Sequence, residues 1–126
     1  LLPSHRILVV DDLTSSADTL ALMLESLGQR LHVAYGGAAA LEAYDAFEPE
    51  IAFIDIAMPG IDGYEVARRL RTGASGRPLL IALTGYGQEE DRNRALEAGF
   101  DHHLVKPATI QALREILAAV PLRSTG

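Results

Sequence analysis

The feature that most limits the folds open to this chain is a strict alternation of two hydrophobic periods. Short apolar runs at 6–10, rich in β-branched residues, at 51–55 and at 79–83 predict buried strands, a weaker run at 31–34 predicts another, and residues 100–105 hold the fifth. Between them apolar residues recur at helical spacing: Ala17, Leu20, Ala21, Leu24 and Leu27; then Leu41, Tyr44 and Phe47; then Val66, Ala67 and Leu70. A highly charged segment at 89–98 and a last stripe of Ile110, Leu113, Ile116, Leu117 and Val120 complete the set. The punctuation agrees. Thr14, Ser15 and Ser16 offer N-cap oxygens and Thr109 another, Gly28 and Gly99 close helices, and Pro49 and Pro121 stop them. Residues 73–78 read as a polar loop. Five strands alternating with five helices predict an α/β fold, a parallel sheet covered on both faces, with right-handed crossovers.

At 126 residues the chain is expected to be one domain, with its core at about 6–120 and loose tails at 1–4 and 123–126. It opens Leu1-Leu2-Pro3 without Met, which reads as a piece of something longer. A net charge of −6 argues against a domain held directly on nucleic acid and suits binding of cations or basic partner surfaces. With no cysteine, disulfides, thiolate chemistry and Cys-based zinc sites are excluded. No apolar run reaches the roughly 18 residues of a membrane span, and no signal pattern opens the chain. A cytoplasmic domain without membrane contact is expected.

Four strand ends carry polar residues that a core would not select: Asp11-Asp12, Asp55, Thr84 and Lys106. In open parallel sheets ligands bind outside the C-terminal edge, where strand order reverses, so these groups should meet in one crevice. Three carboxylates at close quarters need a counter-charge, and oxygen ligands suit Mg²⁺, with Mn²⁺ as the alternative ion. One carboxylate could then act as a nucleophile toward phosphorus, giving an acyl phosphate. Lys106 and the Thr84 hydroxyl would neutralise the equatorial oxygens, and Gly85 leaves room beside them. Asp62 reads as a helix cap rather than a ligand. His102 and His103, adjacent on a strand, would point to opposite faces and could not chelate one ion. Gly36-Gly37 lacks the spacing of a nucleotide loop.

Taken together, Asp11-Asp12, Asp55 with Met58-Pro59 and Asp62-Gly63, Thr84-Gly85 and Lys106-Pro107 resemble the receiver domain of two-component response regulators. The likeness runs from about Arg6 to Val120, and the run from Ala98 to Pro107 (AGFDHHLVKP) looks like the receivers of hybrid histidine kinases. The resemblance implies a doubly wound, flavodoxin-like (βα)₅ domain with strand order 2-1-3-4-5. It implies Asp55 as phosphoacceptor, and Asp11, Asp12 and the Ala57 carbonyl as further metal ligands. It also implies Thr84 and Lys106 on the phosphoryl oxygens, and a cis peptide before Pro107. Phosphorylation in this family draws the Thr84 position inward and repacks an aromatic residue three positions before the lysine; here that position is His103. Ala57 and Tyr86 occupy positions that affect how long the phosphate survives. The implied partner is a histidine kinase or histidine phosphotransfer domain, and the domain could be a single-domain regulator, a piece of a regulator with an output domain outside this chain, or the receiver of a hybrid histidine kinase. Turnover would be of the domain's own phosphate. The rivals are a pseudo-receiver that works by protein contact alone, an aspartate-nucleophile phosphohydrolase, and a flavin protein. The hydrolase would want an acid where Ala57 stands, and Tyr86 alone is thin support for flavin stacking.

Overall fold

A computed structural model describes residues 2–73, 78–85 and 89–120. The ten expected elements form in the expected order. They are β1 (Arg6–Val10), α1 (Thr14–Ser26), β2 (Arg30–Ala34), α2 (Gly37–Phe47) and β3 (Ile51–Asp55), followed by α3 (Gly63–Gly73), β4 (Leu79–Thr84), α4 (Glu89–Ala98), β5 (His102–Val105) and α5 (Ile110–Ala119). All strand pairs are parallel, in the order β2-β1-β3-β4-β5.

The period-2 alternation of side chains divides the core into two layers. Ile7, Val9, Ile51, Phe53, Ile81 and Leu83 face α1 and α5, meeting Leu20, Leu24, Leu113 and Leu117. Leu8, Val10, Ala52, Ile54, Leu80 and Ala82 face α2, α3 and α4. The chain leaves β1 for β2 on one side and crosses back to β3 on the other. The reversal therefore falls between β1 and β3, and their C-terminal ends carry Asp11 and Asp55.

Four local expectations need correcting. The N-cap of α1 is Leu13, without a side-chain cap bond, and Thr14, Ser15 and Ser16 follow it in the chain. The turn begins earlier because the Asp11 carboxylate accepts the Leu13 N–H at 3.0 Å. Helix α3 runs past Leu70 to Gly73, held by Arg71, whose guanidinium donates to Gly99 O, Pro78 O and Asp101 Oδ2. Strand β5 starts at His102; Phe100 is core and Asp101 N bonds to Leu80 O. Ile110, expected inward, is 37% exposed. Other caps are as expected: Thr109 Oγ1 accepts from Ala112 N, Asp62 Oδ1 accepts from Glu65 N, and Gly28 follows α1 at φ +82°. Residues 121–126, the middle of the 73–78 loop and Tyr86 lie outside the described residues. No helix among the described residues is long and apolar enough to cross a membrane.

Candidate functional site

Each polar strand end is placed by the hydrophobic strand before it. β1 and β3 are buried almost throughout, so the carboxylates that end them are carried to the rim of the core: Asp11 is 1% exposed and Asp55 6%. Asp12, one residue further, is exposed. Oxygens of Asp11, Asp12 and Asp55 all lie within 4.8 Å of one another. Lys106, just past β5, is positioned by its own N–H on Thr84 O at 2.8 Å. Its Nζ reaches Asp11 Oδ2 at 2.8 Å and Asp55 Oδ2 at 3.3 Å. The Lys106–Pro107 peptide is cis, as the resemblance implied. Thr84 ends β4, and its Oγ1 is buried with no hydrogen-bond partner among the described residues.

Asp55 Oδ1 accepts the Ala57 N–H at 3.1 Å, so the chain folds back against its own carboxylate. Gly63 makes that turn fit. A Cβ there would lie 2.6 Å from Ile56 Cα, so only glycine lets α3 start this close to the end of β3. His103 is half-buried on β5, in register with Ala82, beside a cleft of about 420 Å³ that Ala95, Leu96 and Phe100 also line. His102 is exposed, and the two imidazoles take successive positions on a regular strand.

The charges are unbalanced. Burial, aided by the Asp11 carboxylate and resisted by the Ala57 N–H and Lys106, pushes the Asp55 carboxyl up to about 6. Burial also acts to raise Asp11, but Lys106, the Leu13 N–H and Ser16 outweigh it and hold Asp11 below its ordinary value. Burial acts to lower Lys106; its bonds to Asp11 and Asp55 win and hold it above its ordinary value. One ammonium thus bridges two of the three carboxylates, Asp11 and Asp55. An all-oxygen set this tight, with excess negative charge, fits a hard divalent cation. A buried hydroxyl without a partner costs free energy unless something brings it an acceptor.

Of the residues that the sequence named, Asp11, Asp12, Asp55 and Lys106 come together, Thr84 ends the neighbouring β4, His103 sits on β5, and Tyr86 lies outside the described residues. The sequence pattern missed three contributors. Ser16 acts on Asp11, but reads as one of three interchangeable capping hydroxyls. Gly63 reads as a helix opener, while its close approach depends on β3. Arg94 lines a cleft beside Ala57 and Gly85, and nothing in its charged helix singles it out.

A five-stranded parallel sheet of this order, with acids, a hydroxyl and a lysine at its C-terminal edge, defines a flavodoxin-like site domain. The family model of the response regulator receiver domain matches residues 7–118, and the chain belongs to that family. It is 43% identical over 102 residues to an uncharacterized 14.6 kDa protein of Leptolyngbya boryana, covering 80% of this chain and 78% of that protein. It is 36% identical over 127 residues to the virulence sensor protein BvgS of Bordetella bronchiseptica, covering 96% of this chain but only 10% of BvgS. Among solved structures, the receiver domain of the sensor histidine kinase PA1611 from Pseudomonas aeruginosa, with magnesium coordinated in its active-site cleft, superposes with a TM-score of 0.82. The two are 31% identical, over 91% of this chain and 95% of that one.

Proposed function

We propose that this chain takes a phosphoryl group from a phosphohistidine donor onto Asp55 and, so loaded, offers a changed surface to a partner. The observation that carries the reading is the buried Asp55 carboxylate set among Asp11, Asp12 and Lys106, beside the unpartnered Thr84 hydroxyl. An Asp55 oxygen attacks phosphorus and a P–O bond forms. The P–N bond breaks, its electron pair goes to the imidazole nitrogen, and that nitrogen takes a proton from water. Lys106 neutralises charge on the transferring group, and the Thr84 hydroxyl donates to one of its oxygens. Mg²⁺ held by Asp11, Asp12, Asp55 and the Ala57 carbonyl, or Mn²⁺ in the same oxygen set, supplies the rest of that neutralisation when bound.

Drawing Thr84 toward the phosphoryl group would shift the end of β4, and His103 on the neighbouring strand would repack in response. The donor would be a histidine kinase or a histidine phosphotransfer domain. The chain would work in the cytoplasm as one domain spanning about 6–120, as a single-domain regulator, as part of a regulator with an output domain elsewhere, or as the receiver of a hybrid histidine kinase. The magnesium in the PA1611 receiver's cleft supports the metal assignment.

Intact mass after incubation with a phosphodonor and Mg²⁺ tests the proposal. Wild type should gain one phosphoryl mass, and Asp55→Ala should gain none. A gain in both would remove Asp55 from its role.

A further inference from the structure

We propose that Arg94 selects among small phosphodonors, favouring acyl phosphates because their leaving group departs as a carboxylate. This rests on the phosphoacceptor reading of Asp55. Two clefts flank the site, and both touch Gly85. The larger, about 460 Å³, lies against α1, and its cationic lining residue is Lys106, already bridging Asp11 and Asp55. The other, about 420 Å³, is lined by Ala57, Met58, Asp62, Tyr64, Gly85 and Arg94, with Ile56 beneath. Ala57 holds Asp55 through its N–H, and Gly85 follows Thr84. This second cleft therefore opens beside the place a phosphoryl group would occupy.

Arg94 is the cationic side chain lining it among the described residues. Its guanidinium carbon sits 4.3 Å from the centroid of the Tyr64 ring, and Tyr64 is itself only 4% exposed. Stacking on a fixed aromatic face restrains the guanidinium plane and keeps its N–H donors at the edge. Asp62 is the opposing charge. One of its oxygens accepts the Glu65 N–H at 3.0 Å, and the start of α3 offsets its charge.

In an in-line displacement the leaving group lies across phosphorus from the nucleophile, toward the mouth of the site. With an acyl phosphate, the P–O bond to the acyl oxygen breaks as the Asp55 bond forms. The electron pair stays on that oxygen, and a carboxylate leaves. A guanidinium matches a carboxylate with two parallel N–H donors. With a phosphoramidate, the P–N bond breaks and the nitrogen leaves as ammonia after taking a proton, so no anion forms for Arg94 to hold.

The test compares initial rates of mass gain with acetyl phosphate and with phosphoramidate, in the presence of Mg²⁺, for wild type, Arg94→Gln and Arg94→Lys. Arg94→Gln should slow the acetyl phosphate reaction by about tenfold or more, the loss expected when a charge-assisted pair is removed, and change the phosphoramidate rate by less than about twofold. Arg94→Lys should fall between. The phosphoramidate rate doubles as the check that each variant is folded. An unchanged ratio of the two rates, whether both fall or neither does, would overturn the role of Arg94. A wild-type chain inert to both donors would overturn the phosphoacceptor reading itself, and this inference with it.

Discussion

Asp55 is held near half-protonation around pH 6 because burial and the Asp11 carboxylate oppose its charge more than Lys106 and the Ala57 N–H support it. A folded-state pKa raised from 3.8 to about 6 stabilises the fold most below the unfolded value, and that stabilisation is lost as pH rises through the folded one. In metal-free buffer, wild type should therefore lose on the order of 2–3 kcal/mol from this group between pH 4 and pH 7.5. Asp55→Asn should remove most of that slope and be the more stable protein at pH 7.5, as read by urea denaturation at the two pH values. Equal slopes in both proteins would show that Asp55 ionises freely. Asp55 and Thr84 were legible in the sequence because each is a polar residue ending a run that is otherwise apolar, whereas Lys106 follows a run that already holds Asp101, His102 and His103 and was legible through its place before Pro107 in the motif set. Ser16 was not legible, because its neighbours Thr14 and Ser15 carry the same hydroxyl chemistry and only the path of the turn after β1 chooses between them.

The elements that carry these residues depend on close contacts between distant parts of the chain. Gly63 lets α3 begin against the backbone of Asp55 and Ile56. Gly63→Ala should cost roughly 1–3 kcal/mol by overpacking, and it should also slow phosphorylation, because the displaced backbone is the one that carries Asp55. Denaturation and mass-gain rates on the same sample would show whether the two effects travel together. Arg71 ties the end of α3 to Pro78, Gly99 and Asp101, and Asp101 Oδ2 in turn accepts the Leu80 N–H at 2.9 Å. Replacing it with Met strands those acceptors partly buried and should destabilise by about 2–4 kcal/mol, with faster amide exchange at the end of α3 and the start of β5. Wild-type exchange in that variant would deny the clamp. The extra turn of α3 escaped sequence reading because Arg68, Arg69 and Arg71 look alike as a solvated face. Arg68 and Arg69 do pair locally with Glu65, while the partners of Arg71 lie up to 30 residues away.

At the scale of the whole molecule, the sheet separates a functional edge from a structural one. At the N-terminal edge, Glu50 joins three strands: its backbone bonds to Arg6 O and Leu79 N, and its Oε2 lies 3.0 Å from Nδ1 of buried His5. Burial acts to raise the Glu50 carboxyl, but the bonds from His5 and the Arg6 N–H prevail and lower it. A depressed folded-state value gives stability that is present above the ordinary 4.5 and is lost as pH falls below it. Glu50→Gln should thus be less stable than wild type at pH 7, with the gap closing in acid, the reverse of the trend expected for Asp55. Thermal melts across pH 3–7.5 would separate the two edges. The architecture was legible because strand and helix periods alternate without exception; the Glu50 network was not, because it joins residues 45 positions apart. Asp55 should form an acyl phosphate at the switch point between β1 and β3. The most direct measurement is borohydride reduction of the phosphorylated protein, followed by peptide mapping. Homoserine is expected at position 55; homoserine at 11 or 12, or at none of the three in a protein that has gained phosphate, would remove Asp55 from its role.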